Sequence, residues 1–121
     1  DSGVFEAVQR AGIAALQGAQ NVIRKTVETY RKRRDLLIDG LHNLGIHVER
    51  PKATFYVWAP VPKRYNSMEF TKLLLDKCGI VPTPGIGFGE HGEGYVRFSL
   101  TIALERIKMA VERMEETIFN P

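Results

Sequence analysis

Ile80-Val-Pro-Thr-Pro-Gly-Ile-Gly-Phe-Gly-Glu-His-Gly-Glu-Gly-Tyr-Val-Arg-Phe-Ser-Leu100 is the stretch on which the reading of this chain turns. A short apolar run meets Pro82 and Pro84, five glycines follow between Gly85 and Gly94, and an alternating segment closes the stretch. Alternation places Val96, Phe98 and Leu100 on one face of a strand and Tyr95, Arg97 and Ser99 on the other. The apolar face must pack. A guanidinium on the opposite face, in mid-strand, must be solvated, paired with an acid, or left available to an anionic ligand. The glycine-rich lead-in is either a plain turn between strands or a loop whose missing side chains let a backbone pass over a ligand.

Working outward, Ile80–Thr83 and Tyr95–Leu100 are expected as strands on either side of that loop. Upstream, Asn66 with Glu69 three residues on has capping-box spacing and opens a helix to Lys77, with Phe70, Leu73 and Leu74 buried and Gly79 as its cap. Ile46–Arg50 and Thr54–Ala59 are expected as two further strands, stopped by Pro51 and by Pro60 and Pro62. Ile23, Val27, Tyr30, Leu37, Leu41 and Leu44 recur at three- and four-residue steps, with Arg34 the single break. They predict one amphipathic helix over residues 21–44, closed by Gly45. Gly40 inside it marks close packing or a bend. Residues 4–19 predict one helix or two short ones, weak at Gly12, and residues 103–118 a last helix burying Ile107, Val111, Met114 and Ile118. The order α-α-β-β-α-β-β-α describes an α+β domain, a mainly antiparallel sheet with helices on one face.

The chain has 121 residues, 44% hydrophobic and 26% charged, which bounds it to one ordinary globular domain, small for a complete metabolic enzyme. No apolar run approaches the roughly 20 residues that cross a bilayer, and the lone Cys78 excludes an internal disulfide and favours a reducing, cytoplasmic setting. A net charge of +3 does not argue for nucleic acid. The start at Asp1-Ser2-Gly3 without Met and the stop at Asn120-Pro121 read as the bounds of a piece of a longer polypeptide.

Other motifs resolve to ordinary roles. Gly87-Phe-Gly-Glu-His-Gly92 fits a dinucleotide fingerprint, but it leads into a strand where that fingerprint needs a helix N-terminus. A kinase loop is excluded by the absence of the accompanying lysine and catalytic-loop motifs. Arg24, Lys25 and Arg31–Arg34 are read as a solvated helix face balanced by Glu28 and Asp35, and nucleic-acid binding through them is the weakest functional reading. His42, His47 and His91 lack ligand spacing to one another or to Cys78, so no metal is expected, and Cys78 is a small core residue. Thr54, Tyr56 and Trp58 share a strand face whose expected role is core or interface packing, with a ligand wall as the alternative.

Pro84-Gly-Ile-Gly-Phe-Gly89 together with Gly92-Glu-Gly-Tyr-Val-Arg-Phe-Ser-Leu100 resembles the C-terminal small domain of the class I, aspartate-aminotransferase-like enzymes that use pyridoxal phosphate. Ala53–Trp58, the helix from Arg33-Arg34-Asp35 to Leu44-Gly45, and Glu105-Arg106-Ile107 support the resemblance in the family's order. Lys52–Trp58, Pro60-Val61-Pro62 and the Phe88–Gly94 loop look most like its LL-diaminopimelate branch. The resemblance implies that Arg97 binds the substrate's α-carboxylate and that the Pro84–Gly94 loop is a moving cover, with Gly87, Phe88 and Gly89 on the substrate side and Tyr56 further from the chemistry.

It also implies what lies elsewhere. The seven lysines, at 25, 32, 52, 63, 72, 77 and 108, stand outside any serine-rich segment of the kind that carries the family's cofactor lysine. The expectation is therefore residues 1–20 as the tail of a cofactor-binding large domain and 21–121 as the small domain, including the long helix 21–44. The parent is expected to be a homodimer moving an amino group between an LL-diaminopimelate-like or aspartate-like donor and an oxo acid such as 2-oxoglutarate. This piece alone is expected neither to hold pyridoxal 5'-phosphate nor to turn over. A non-catalytic small-molecule-binding or interaction domain of the same fold is the alternative.

Overall fold

The computed structural model describes residues 3–119. Its elements are α1 (Glu6–Gln17), α2 (Asn21–Asn43), β1 (Tyr56–Pro60), α3 (Ser67–Cys78), β2 (Thr83–Pro84), β3 (Tyr95–Ser99) and α4 (Leu104–Met114), with a π-helical turn over Glu115–Phe119. β3 is the central strand, antiparallel to β1 on one side and to β2 on the other.

The sheet has one dry face. Val57 and Ala59 of β1 and Val96 and Phe98 of β3 are buried against Leu37, Ile38 and Leu41 of α2, Phe70 and Leu74 of α3, and Ile107 and Met114 of α4. Burying a side chain of this kind contributes about 1.5–3 kcal/mol, so this shared cluster is the main source of stability. The opposite face carries Tyr56, Trp58, Tyr95, Arg97 and Ser99, all exposed or half-exposed. This is the expected α+β arrangement, with the predicted face assignment of Tyr95–Leu100.

Two predicted strands are not as expected. Residues 46–50 form no strand. Ile46 and Val48 are buried, but the backbone of Val48 finds the His42 ring instead of a neighbouring strand: its carbonyl lies 2.8 Å and its amide nitrogen 3.2 Å from Nε2, the tautomer deciding which bond forms. The strand expected over 80–83 shrinks to Thr83–Pro84, because the amide of Ile80 is used by the α3 terminus, bonding to the Leu74 carbonyl at 3.0 Å. Gly79, in the left-handed region at φ 63°, makes that reversal.

The helices keep their predicted places with trimmed ends. At α3 both halves of the capping box are present: the Asn66 side chain accepts from the Glu69 amide at 2.8 Å, and the Glu69 carboxylate accepts from the Asn66 amide at 2.9 Å. The α2 stripe is buried only over its second half; Ile23 and Val27 are more than half exposed, and Ile38, outside the predicted stripe, is fully buried. No residue of α1 is buried. Val111 and Ile118, expected in the core, are only partly buried against it.

Gly40 is a contact, not a bend. A Cβ there would stand 2.5 and 2.6 Å from the two Cγ atoms of Val111, so α2 and α4 meet at the closest approach a glycine permits. Gly40→Ala is expected to lose a net of up to about 2 kcal/mol, since overpacking costs about 1–3 kcal/mol and better helix propensity returns about 1 kcal/mol. Denaturant titration of the single and of Gly40→Ala/Val111→Ala checks this. The alanine at 40 should cost nothing once Val111 is trimmed, and an equal cost in both backgrounds would place the strain elsewhere.

Candidate functional site

Arg97 sits at the centre of the solvent-facing side of the sheet. On β3 it pairs with Trp58 of β1 and with Thr83 of β2. Its side chain lies between aromatic rings: Cζ is 4.0 Å from the centroid of Tyr56 and 4.5 Å from that of Phe88. Among the described residues it has no carboxylate partner within 4.0 Å, whereas Arg10, Arg31, Arg34 and Arg50 all have one. A half-buried guanidinium lined by rings and left without an acid is an anion site in waiting, because its paired N–H donors match a carboxylate in one plane.

An open groove of about 880 Å³ runs past it, with Tyr56, Trp58, Tyr95 and Arg97 on the sheet side and residues 47–52 on the other. Trp58 stacks on Tyr95 with ring centroids 5.6 Å apart at 19°, and meets Phe88 edge-on at 5.6 Å and 68°. Tyr56, expected further from the chemistry, therefore stands beside Arg97, and Tyr56 and Trp58 lie outside the core on the open face of the sheet. The signal was present in their alternation with Val57 and Ala59. Once β1 and β3 pair, residues 56 and 58 must share the face of Arg97.

The glycine-rich loop is built more firmly than its composition suggests. Gly85–Phe88 and Glu90–Gly92 each form a short 3₁₀ turn. At the neck Gly85 and Gly92 are buried backbone to backbone, and a Cβ on either would collide with the other's carbonyl oxygen. Glu93 ties this neck to α3: its carboxylate accepts from the Ser67 amide at 2.7 Å, the Ser67 hydroxyl at 2.9 Å and the Gly94 amide at 2.7 Å. Ser67 is the first residue of α3 and fully buried, so the carboxylate also meets the positive end of the helix. The tip is different. Phe88 is 51% exposed, and a Cβ on Gly87 or on Gly89 would touch nothing.

The remaining candidates lie away from this site. Cys78 is buried beside the Arg113 carbonyl, and burial pushes its thiol up against the opposing pull of the Arg113 charge, as suits a core residue. Arg33 and Arg34 are not simply solvated, since they donate at 3.0 Å to the carbonyls of Leu100 and Pro51. His42 faces His47 at 5.8 Å, and among the described residues no group of three or more His, Cys, Asp or Glu gathers to hold a metal. All seven lysines are exposed, Lys52 at the rim of the groove. Among the described residues no helix is long and apolar enough to cross a membrane.

Comparison with known proteins gives a consistent result. The sequence model of the family described as Aminotransferase class I and II matches residues 2–114. The chain is 56% identical over 117 residues to LL-diaminopimelate aminotransferase of Halothermothrix orenii, covering 97% of this chain and 30% of that protein. It is 51% identical over 118 residues to the enzyme of the same name from Moorella thermoacetica, covering 98% and 30%. Among solved structures, L,L-diaminopimelate aminotransferase from Chlamydomonas reinhardtii superposes with a TM-score of 0.84 at 31% identity, over 95% of this chain and 28% of that one. The chain thus spans about 30% of the length of the curated relatives it matches.

The Glu93 clamp has a pH signature. The Ser67 amide, the Gly94 amide and the Ser67 hydroxyl hold its carboxyl below its ordinary value of 4.5. A carboxyl depressed by folding adds stability that is present above its unfolded pKa and lost as pH falls through the folded one. Glu93→Gln should therefore lower the melting temperature at pH 7, and the gap to wild type should narrow as pH falls below about 4.5. A gap that stays constant down to pH 3 or so, well below the unfolded value, would show that the charge on Glu93 is not what ties the neck.

Proposed function

The chain belongs to the class I and II aminotransferase family, and from that premise we propose that it is the C-terminal small-domain part of a pyridoxal-phosphate-dependent aminotransferase. In this reading Arg97 binds the α-carboxylate of the amino acid and of the oxo acid. The observation that carries it is the guanidinium of Arg97, which lines an open groove and has the rings of Tyr56 and Phe88 at 4.0 and 4.5 Å but no acid partner among the described residues.

The chemistry asks this of the chain. Amino transfer requires a proton to leave Cα, and that bond must be held in a fixed direction relative to the cofactor. A bidentate clamp on the α-carboxylate fixes two of the substrate's atoms and therefore the direction of the third bond. Pyridoxal phosphate, bound in the parent, supplies the electron sink for the charge left at Cα. All seven lysines of the chain are exposed, which supports assigning the holder of this group to the rest of the parent. Its lysine, the acid for its ring nitrogen and its phosphate cup are assigned to the remaining part of a parent as long as the relatives. Residues 1–20 are assigned to the tail of that large domain and 21–121 to the small domain. The exposed apolar side chains of α1, among them Val8, Ile13 and Leu16, support a surface that is covered in the parent.

Phe88, with Gly87 and Gly89, is assigned to the cover on the substrate side. The pinned neck narrows the movable part from the whole Pro84–Gly94 loop to its tip. The identities to LL-diaminopimelate aminotransferases support LL-diaminopimelate as donor. An oxo acid such as 2-oxoglutarate as acceptor and a cytoplasmic homodimeric parent belong to the same proposal.

The full-length parent, loaded with pyridoxal phosphate, should form glutamate from LL-diaminopimelate and 2-oxoglutarate. Arg97→Ala should cost about 2–5 kcal/mol of transition-state binding, read as a fall in kcat/KM for both substrates, because a charged hydrogen-bonding partner is lost. Arg97→Lys should recover only part of it, having the charge without the fork. Unchanged kcat/KM in Arg97→Ala would sink the carboxylate assignment. The 121 residues alone should give no turnover, and detectable turnover by them would overturn the division of labour.

A further inference from the structure

We propose that Tyr56 is a positioning residue for Arg97: its ring, fixed on β1, holds the guanidinium in the orientation that offers its paired N–H donors to a substrate carboxylate. This deepens the carboxylate reading of Arg97 and rests on it.

An arginine is usually held in place by an acid, as Arg50 is by Asp35 and Asp39. An acid at Arg97 would orient the guanidinium but would also occupy its donors and cancel its charge, so an incoming carboxylate would have to displace it. An aromatic ring avoids that conflict. Its π-face attracts the cation and restricts its plane, yet leaves the N–H edge unbonded. Among the described residues Arg97 has rings at 4.0 and 4.5 Å and no ion pair, which is this arrangement.

The two rings differ in how firmly they are held. Phe88 stands at an exposed loop tip between two glycines whose Cβ positions are open space. Tyr56 is half-buried on a strand whose next residue, Val57, is fully buried and whose preceding carbonyl, that of Phe55, accepts from the Leu100 amide at 2.9 Å. Its ring packs against that of Phe55 with centroids 4.6 Å apart. The register gives the reach. Trp58 lies directly opposite Arg97 and Tyr56 opposite Ser99, so Tyr56 is the diagonal same-face neighbour of Arg97, within range of a long side chain. Tyr56 is thus the permanent wall of the site. Phe88 can leave without freeing the arginine.

The test uses the full-length parent loaded with pyridoxal phosphate, and the variants Tyr56→Phe, Tyr56→Leu and, should the leucine fail to fold, Tyr56→Met. Readouts are kcat and KM for 2-oxoglutarate and the calorimetric Kd of succinate, a dicarboxylate that cannot react. Tyr56→Phe should stay within about two-fold of wild type, since the ring is kept. Tyr56→Leu should weaken succinate and raise KM by about ten-fold, the scale of a partly desolvated cation–π contact. In an Arg97→Lys background the same leucine should add less than about two-fold, because the fork it positions is gone.

Three results would overturn the proposal: no effect of Tyr56→Leu, an equal loss in Tyr56→Phe, or an undiminished loss in the Arg97→Lys background. If Arg97→Lys itself leaves both readouts unchanged, the carboxylate reading fails and the role of Tyr56 falls with it. If Arg97→Lys is costly and Tyr56→Leu is not, the carboxylate reading stands and only the positioning role is lost.

Discussion

β3 is asked to do two incompatible things, and the rest of the fold follows from how it does both. Its odd-numbered residues present a cation to solvent, while Val96 and Phe98 must be dry. Because side chains alternate, no compromise is available within the strand: whatever aims Arg97 outward also drives its neighbours into the core. Central placement resolves the tension. With β1 and β2 on either side, the backbone of Arg97 is satisfied by its neighbours and only its side chain remains to be accommodated. The helices then cover one face only, which leaves the other to the aromatic residues around the guanidinium.

The loop that enters β3 applies the same division at a smaller scale. Its two ends are fixed by contacts that tolerate no side chain at Gly85 or Gly92, and by a carboxylate shared between Ser67 and Gly94. That makes the N-terminus of α3, capped through Asn66 on one side and Glu93 on the other, the anchor of the loop as well as the start of a helix. A loop held at its neck loses little entropy when its tip orders over a ligand, because few residues are left to be ordered. Six residues, 86–91, lie between the two buried glycines of the neck.

Much of this was legible in the residues, and the parts that were not share a cause. The faces of β3, the capping box at Asn66 and the cap at Gly79 are set by local spacing, and local spacing is what a sequence displays; at Gly40 it left a bend and a close contact equally open, because the contact is with Val111 of α4. The strand expected at 46–50 failed because a strand needs a partner, and the apolar alternation of Ile46 and Val48 is equally served by two buried side chains with the His42 ring taking one backbone bond of Val48. The α2 stripe was overextended because periodicity shows which face is apolar, not whether anything in the described chain covers it; Ile23 and Val27 keep the pattern without the burial. Arg97 was singled out from its own strand, but its neighbours Tyr56 and Trp58 depend on the antiparallel register between segments some forty residues apart, which no local pattern records.

The apolar side chains left in the open belong to the same logic. Trp58, Phe88 and Tyr95 are each more than a third exposed, an expensive arrangement for a domain of this size unless the surface is used. They surround the one arginine among the described residues that is half-buried, on a sheet face, and without an acid or carbonyl partner. A cation in a rim of rings is worth more than a cation in water, because displaced solvent no longer screens it when a ligand closes the groove. The same rings would gain contact area as that closure occurs. Under the proposed carboxylate reading, that exposure is stability withheld from the free domain and recovered when a ligand and the loop tip close over Arg97.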